Sequence, residues 1–347
     1  MKAYGITLNW LAAIGVAMCG AACAQDAAEQ ALRDELRAVS HRILFERYDD
    51  NNWELYIMNA DGSDAFNLTQ TPDSHELYPQ ASPDGRRICF LLDVERAGDT
   101  IRSVYYMNAD GSGRTCVAEK VRQPCWSPDG KTIAFVKQEF DRFKTTDFAS
   151  KRLYLYDLES GATTEHPNAA IEHLYNLSWA ADGRWIVSTV HAGMGLSHGI
   201  VAIEIGGMRV VNLNVGGCRP CVSPDGSALT WSTNDHTIER ASIDFGGDEP
   251  KVSNLADVYH EEETHLYHPD FSPDGKYITF SGGPGGRMPA AGPGTHVDVA
   301  EMVGVCGVWD VYLKRADGTG PVIRLTQEPR KSNKESEWLP GRTGDSK

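Results

Sequence analysis

The stretch that decides the fold is Ser82-Pro83-Asp84-Gly85, because the same tetrapeptide recurs along the chain. The glycines that end its six copies lie 43–66 residues apart. A period in this range indicates an architecture built from one repeated supersecondary unit. The other copies are the intact ones beginning at Ser127, Ser223 and Ser272, the degenerate Ala180-Ala181-Asp182-Gly183 and the worn Leu339-Pro340-Gly341.

The residues around each copy have the pattern of paired β-strands. Alternating strand-like runs follow the tetrapeptide, as at Ile88–Leu92. A second run then ends in an Asp-Gly pair, as at Asp61-Gly62 and Asp110-Gly111, and Asp-Gly supplies the positive φ that a tight hairpin needs. A short fourth run such as Phe66–Thr69 completes the unit. Four antiparallel strands per repeat predict the blade of a β-propeller.

This wording and period resemble the TolB-type β-propeller repeat, over residues 43–341. The resemblance implies an all-β, six-bladed β-propeller of four-stranded antiparallel blades around a channel. The chain starts in mid-repeat at Ile43, and the last copy near Trp338 has no strand after it. We therefore expect the two ends to complete one blade between them, which closes the ring and removes open sheet edges. The repeat itself serves many roles, so it does not define a function.

Three segments fall outside the repeat at the ends of the chain. Residues 1–24 have a basic Lys2, an apolar stretch and Ala22-Cys23-Ala24, and are interpreted as a secretory signal peptide. Cleavage near Ala24 predicts a periplasmic or extracellular protein, and lipidation of Cys23 is the alternative. Residues 25–42 place Leu32 and Leu36 four apart, which predicts a short helix. Residues 342–347 form a tail, and the rest of the chain has no apolar run long enough to span a membrane.

Charge and cysteine content limit the partners and the compartment. The 347 residues carry 48 acidic and 33 basic side chains, a formal charge of −15. That balance disfavours nucleic acid and anionic membranes, which need clustered Lys and Arg. We expect a monomer. Export permits disulfides, and Cys116 with Cys125 is the best candidate pair. The stretch Cys218-Arg-Pro-Cys221 favours a structural role, because strand residues three apart point to opposite faces of the sheet.

In the repeat family the segment before each tetrapeptide forms the innermost strand. Two insertions, residues 138–151 and 282–307, are long enough to be rim loops that bind a partner. The residues before and after the proline that precedes each tetrapeptide are mostly polar, which predicts a solvent-filled channel. The channel-lining candidates are Tyr78, Gln123, Asn176, Arg219, His268, Asp270, Glu335 and Glu337.

Several side chains on these strands are candidates for chemistry. His75, His173 and His265 share one ring level and His268 lies nearby, so they could bind a divalent metal such as Mn or Zn if they converge. Solvated strand-edge histidines are the alternative. Arg219 could hold a carboxylate or phosphate, or it could form a structural ion pair with Asp225 or Asp270.

Two function hypotheses follow. The leading one is an exported, non-enzymatic propeller without a cofactor that binds a protein or another cell-envelope component at one mouth of the ring. The alternative is a metal-dependent lyase acting on an acidic oligosaccharide, with Arg219 as a catalytic candidate, similar to the oligogalacturonate lyase family. The stretch Gly195-Leu196-Ser197-His198-Gly199 matches G-x-S-x-G, but a strand is predicted after the serine where a nucleophile elbow needs a helix.

Overall fold

The computed structural model describes residues 24–141, 149–284, 307–329 and 331–341. The predicted signal peptide up to residue 23 and the tail from residue 342 lie outside the described residues. The same holds for residues 142–148 and 285–306, the central parts of the two predicted rim loops. Within the described chain, no helix combines the length and apolar character required to cross a membrane.

The described chain forms six four-stranded antiparallel sheets, as the repeat predicts. Blade 1 contains β1 (Arg42–Asp49), β2 (Asn52–Asn59) and β3 (Phe66–Asn67). Blade 2 contains β4 (His75–Ala81), β5 (Arg87–Arg96), β6 (Asp99–Asn108) and β7 (Thr115–Glu119). Blade 3 contains β8 (Val121–Trp126), β9 (Thr132–Gln138), β10 (Ser150–Asp157) and β11 (Thr163–Glu165).

The second half of the chain repeats the arrangement. Blade 4 contains β12 (Leu174–Trp179), β13 (Trp185–Gly193), β14 (Leu196–Glu204) and β15 (Val210–Asn212). Blade 5 contains β16 (Cys218–Val222), β17 (Ala228–Thr233), β18 (Thr237–Asp244) and β19 (Lys251–His260). Blade 6 contains β20 (His265–Phe271), β21 (Tyr277–Gly283), β22 (Asp310–Arg315) and β23 (Ile323–Arg324). The last strand, β24 (Ser332–Leu339), joins blade 1.

Blade 1 closes the ring with strands from both ends of the chain. Its strand order is β24-β1-β2-β3, so the C-terminal strand is the innermost strand of the first blade. Ile43 pairs with Trp338 and Leu44 with Glu337. The prediction that the two ends complete one blade is confirmed, and the pairing covers the strand edges that an open ring would expose.

Each Ser-Pro-Asp-Gly copy forms the hairpin between the first and second strands of a blade. In blade 2, Ser82 Oγ donates to Asp84 Oδ1 over 2.7 Å and accepts from the backbone N–H of Arg87 over 2.9 Å. Gly85 has φ of 65°, and a Cβ there would lie 2.3 Å from the Pro340 carbonyl oxygen of the neighbouring blade. Turn geometry and the contact with the neighbouring blade therefore require the serine, aspartate and glycine. Their recurrence indicates the propeller fold and not a catalytic function.

The predicted N-terminal helix is present as α1, residues 24–36 of the described chain. Leu32 and Leu36 are buried in a cluster that includes Ile43 of blade 1 and Val311 of blade 6. Arg33 donates to the carbonyl oxygen of Asp61 in blade 1, while Glu35 pairs with Arg315 of blade 6. The helix thus packs across the junction where the ring closes.

Candidate functional site

The innermost strands place six side chains around the axis at one level, which we call the floor ring. All six have positive φ, between 50° and 58°, although none is glycine. Each sits at a β-bulge, since the pairing register of every innermost strand shifts there. Left-handed backbone is uncommon outside glycine and persists only where the surrounding structure enforces it. The floor ring consists of Tyr78, Gln123, Asn176, Arg219, His268 and Glu335.

The floor ring closes the channel rather than lining an open one. Asn176 Nδ2 donates to the Tyr78 hydroxyl over 3.0 Å and lies 3.1 Å from His268 Nδ1. These bonds run from blade 4 to blades 2 and 6, so they cross the axis. His268 Nδ1 also lies 2.6 Å from Glu335 Oε2. All six side chains are at most 8% exposed. The expected solvent-filled channel is wrong at this level, because side chains from non-adjacent blades meet across a ring of only six blades.

A buried ion pair supports the floor ring from blade 1. Lys334 Nζ donates to Glu46 Oε1 and lies 3.5 Å from Glu335 Oε1. Glu46 Oε2 accepts the backbone N–H of Tyr78 over 2.8 Å. Glu46 and Lys334 are 0% and 1% exposed, and burial raises the pKa of the Glu46 carboxyl to about 7 against the opposing effect of the Lys334 charge. Removing either partner would leave a buried charge without its main counter-ion.

Arg219 extends away from the Ser-Pro-Asp-Gly turns. Its guanidinium carbon lies 4.0 Å from the ring centroid of Tyr267, and Nη1 donates to Cys218 Sγ over 2.7 Å. Tyr267 and Cys218 each precede the floor-ring residue of their strand, so both lie on the far side of the floor ring from the turns. The guanidinium therefore stacks on an aromatic ring and bonds to Cys218, and neither contact is the expected approach to Asp225 or Asp270.

On the turn side of the floor ring the channel opens into a funnel of about 320 Å³. Immediately above the floor lie six side chains, which we call the funnel ring. Above them, the wall is formed by Trp126, Trp179, Phe271 and Trp338 and by the prolines of the tetrapeptides. A concave site with an apolar wall and a few polar groups at its base is the usual form of a binding pocket. The funnel ring consists of Gln80, Cys125, Ser178, Cys221, Asp270 and Glu337.

Two carboxyl groups of the funnel ring are hydrogen-bonded to each other. Asp270 Oδ1 accepts from the Cys221 thiol over 3.0 Å, Asp270 Oδ2 accepts the Trp338 backbone N–H over 3.1 Å, and Gln80 Nε2 donates to Glu337 Oε2 over 3.2 Å. Burial raises the pKa of Asp270 to about 6. Burial, together with the Asp270 charge, raises the pKa of Glu337 well above its usual value. The pair therefore shares a proton near neutral pH, since two adjacent buried carboxylates repel each other.

The predicted metal-ligand histidines occupy separate surroundings. His75 Nδ1 lies 2.8 Å from Asn52 Oδ1, and His173 Nε2 lies 3.0 Å from Glu139 Oε2. His265 Nδ1 lies 3.0 Å from the Tyr267 hydroxyl, whereas His268 belongs to the floor ring. The first three lie at the starts of innermost strands in blades 2, 4 and 6, at the mouth opposite the turns. Among the described residues, no group of three or more His, Cys, Asp or Glu is arranged to hold a metal ion.

Sequence reasoning missed two features of the site. The Glu46–Lys334 pair lies on strands from opposite ends of the chain, so only closure of the ring brings it together. His191 and His198 face each other across the β13–β14 hairpin with their Nδ1 atoms 3.1 Å apart. Their separation of seven residues around a turn was a usable signal for the histidine pair.

The cysteines and the G-x-S-x-G stretch show no nucleophilic arrangement in the described residues. Cys116 is exposed on the outermost strand β7 and Cys125 is buried on the innermost strand β8, and both are free, so the expected disulfide is wrong. Cys218 and Cys221 are also free, and burial raises the pKa of both thiols. Ser197 lies on β14 within a hairpin, followed by strand rather than helix.

Comparison with known proteins places the chain by its fold. No family model matches the sequence. TolB from Acinetobacter baumannii superposes with a TM-score of 0.62 at 16% identity, covering 86% of this chain and 67% of that one. Hydrazine synthase from Kuenenia stuttgartiensis gives 0.59 at 12% identity, over 88% of this chain and 47% of that one. A chain of a nidogen–laminin complex also gives 0.59, at 8% identity, over 87% and 99%.

A sequence relative adds a further likeness. The chain is 28% identical over 220 residues to the uncharacterized peptidase YuxL of Bacillus subtilis strain 168. The match covers 58% of this chain and 29% of the peptidase, so it spans less than a third of that protein. The strand topology and these superpositions define a six-bladed β-propeller whose fold is similar to that of TolB. Propellers of this type serve many functions, so the function must come from the site.

Proposed function

We propose that this protein is an exported, non-enzymatic β-propeller that binds a protein of the cell envelope at its Ser-Pro-Asp-Gly mouth. The observation that carries the proposal is the funnel, a 320 Å³ cavity closed below by the floor ring and open on the turn side. Its tryptophan and proline wall is typical of a surface that receives side chains of a partner. The signal-peptide pattern of residues 1–24 supports export.

The funnel opens at the mouth opposite to the one that carries the two expected rim loops. The insertions at residues 138–151 and 282–307 connect the second and third strands of blades 3 and 6. Innermost strands run towards the turns and second strands run away from them, so the described strands that flank these insertions end at the opposite mouth. We therefore assign binding to the turn mouth, where the described residues form a concave surface.

The test compares two tryptophan substitutions. Ala181, exposed on the funnel rim, replaces the proline of an intact tetrapeptide, and Ala256 is exposed on the outer strand β19. Mature wild type, Ala181→Trp and Ala256→Trp are cross-linked in envelope extract, and captured proteins are identified and confirmed by reciprocal capture. We expect a partner that is lost with Ala181→Trp and kept with Ala256→Trp. Equal capture by all three proteins would exclude the funnel as the binding site.

A further inference from the structure

The base of the funnel is acidic. It carries Asp270 and Glu337, with Glu335 of the floor ring directly beneath. The basic residues that line the funnel are Arg219 and His268. Arg219 directs its guanidinium onto Tyr267 on the far side of the floor, and His268 contacts Glu335. The accessible base of the funnel therefore presents carboxyl oxygens.

The rim around this base carries charges of both signs. The carboxylates of Asp84 and Asp274 lie 3.9 and 3.1 Å from Arg86 and Lys276. Burial opposes ionisation of Asp84, Asp129, Asp225 and Asp274, most strongly at Asp84 and Asp274, but hydrogen bonds within each turn outweigh it and lower the pKa of all four carboxyls. These aspartates stay ionised at neutral pH. The whole chain has a charge of −15. Because the rim carries both signs, the charge that distinguishes the funnel is that of its base, and an acidic cavity attracts ligands of the opposite sign.

The carboxyl pair is destabilising for the protein alone when it ionises, because burial opposes its charge. Burial raises the pKa of Asp270 to about 6, and the hydrogen bonds from Cys221 and the Trp338 backbone offset only part of the lost hydration. A cation held between Asp270 and Glu337 would offset the remainder. The wall above is apolar and includes the partly exposed Trp179, while Trp126 and Trp338 border the cavity but are only 5% and 2% exposed. Such a wall can cover the aliphatic part of a cationic side chain.

We propose that the funnel recognises a lysine or arginine side chain presented by an extended segment of a protein partner. The cationic head binds at Asp270 and Glu337, and the aliphatic part packs against the apolar wall, where Trp179 is partly exposed. A volume of 320 Å³ lies at the small end of ligand pockets, which suits one or two side chains rather than a folded domain. This inference rests on the proposed function, because it names the chemistry of the partner at the same mouth.

The test uses isosteric removal of the two carboxyl charges. A phage-displayed library of random dodecapeptides is selected on wild type and on the Asp270→Asn/Glu337→Gln double variant. The control is Asp257→Asn/Glu262→Gln, which makes the same two substitutions at exposed carboxylates outside the funnel. We expect wild type and control to enrich a Lys or Arg beside apolar residues, and the double variant to lose that preference.

The best peptide is then synthesised, and its affinity is measured by the change in tryptophan fluorescence. We expect the funnel double variant, and a peptide with norleucine in place of the cationic residue, each to bind at least about 10-fold more weakly, the loss typical of one desolvated charge pair. Enrichment of acidic or uncharged peptides, or equal weakening by the control, would overturn the inference. Binding of free cadaverine with the same affinity as the peptide would show that the ligand is a free amine and not a side chain of a protein partner.

Failure of this inference is distinguishable from failure of the proposed function. Loss of the envelope partner with Ala181→Trp but not with Asp270→Asn/Glu337→Gln would keep the funnel as the binding site and reject its cationic occupant. Capture that persists with Ala181→Trp would reject the funnel itself. Thermal unfolding of each variant confirms that the folded propeller is being compared.

Discussion

The floor ring and the funnel ring lie two residues apart on the same six strands, yet they have opposite characters. In the floor ring, Asn176 links blades across the axis and every side chain is nearly buried. In the funnel ring, Asp270 and Glu337 face a cavity and bond to each other. Both rings are mostly polar, so polarity does not separate them. The position relative to the β-bulge decides which side chains fill the channel and which remain available for binding.

The largest expected effect is loss of the buried acid beneath the floor ring. Glu46→Ala leaves the Lys334 ammonium without its main counter-ion and the Tyr78 backbone N–H without its acceptor. We expect a loss of about 3–5 kcal/mol in the free energy of unfolding, measured by urea denaturation. Glu165→Ala, which breaks the exposed pair with Arg152, should cost less than about 1 kcal/mol. Similar losses for both variants would contradict the distinction.

The next effect compares the two rings directly. Asn176→Val removes the bonds to Tyr78 and His268 and places a β-branched residue at φ of 53°. We expect a cost of about 2–4 kcal/mol. Ser178→Val, two residues along, removes one bond to the Val222 backbone N–H and should cost about 1 kcal/mol. Equal denaturation midpoints would show that the left-handed position is not strained.

The carboxyl pair should make funnel-ring stability depend on pH. The pKa of Asp270 is raised from 3.8 to about 6, so its contribution to stability is complete below about pH 4 and is lost as pH rises through 6. The groups facing the pair are Cys221 on β16, Cys125 on β8 and Glu335 on β24, and the raised pKa of both thiols keeps them neutral.

Removing the two carboxyl groups should remove this loss of stability at high pH. We expect Asp270→Asn/Glu337→Gln to unfold several degrees higher than wild type at pH 8, and within about 1–2 °C of it at pH 4.5, where the wild-type pair is protonated. Thermal melts at both pH values measure the difference. A lower melting temperature at pH 8 would show that the pair holds the blades together instead of being kept for a ligand.

A smaller effect concerns thiol reactivity at the funnel ring. Cys125 and Cys221 border the cavity, but burial raises the pKa of Cys125 to about 12 and that of Cys221 well above its usual value. We expect slow alkylation of both thiols at pH 8 and rapid alkylation of the exposed Cys116. Mass mapping of peptides after timed iodoacetamide treatment gives the order. Faster labelling at Cys221 would indicate an activated thiolate.

The smallest expected effect is that of metal removal. Protein purified without chelator should contain less than about a tenth of a Mn or Zn per chain, since the candidate histidines have separate partners. We expect EDTA to leave the melting temperature unchanged. Stoichiometric metal that falls with His75→Ala/His265→Ala would favour the lyase alternative.

Most of the fold was predictable from the sequence because turns constrain residues locally. Ser82, Asp84 and Gly85 are fixed by hydrogen bonds and φ within one hairpin, so each copy marks a blade. Aligning the copies on the proline that precedes each tetrapeptide also identified the six axial positions. It did not predict the buried floor, because the meeting of Asn176 with Tyr78 and His268 depends on the ring diameter.

The sequence by itself determined the number of blades, the closure by β24 and the helix carrying Leu32 and Leu36, since local periodicity encodes these features. Tertiary structure alone decided that the channel is a funnel with a closed floor. It also turned Arg219 away from Asp270 and left the Asp270–Glu337 pair facing the cavity. The physical reason is that direction and burial depend on side chains from different blades, which are far apart in the chain and meet only when the ring closes.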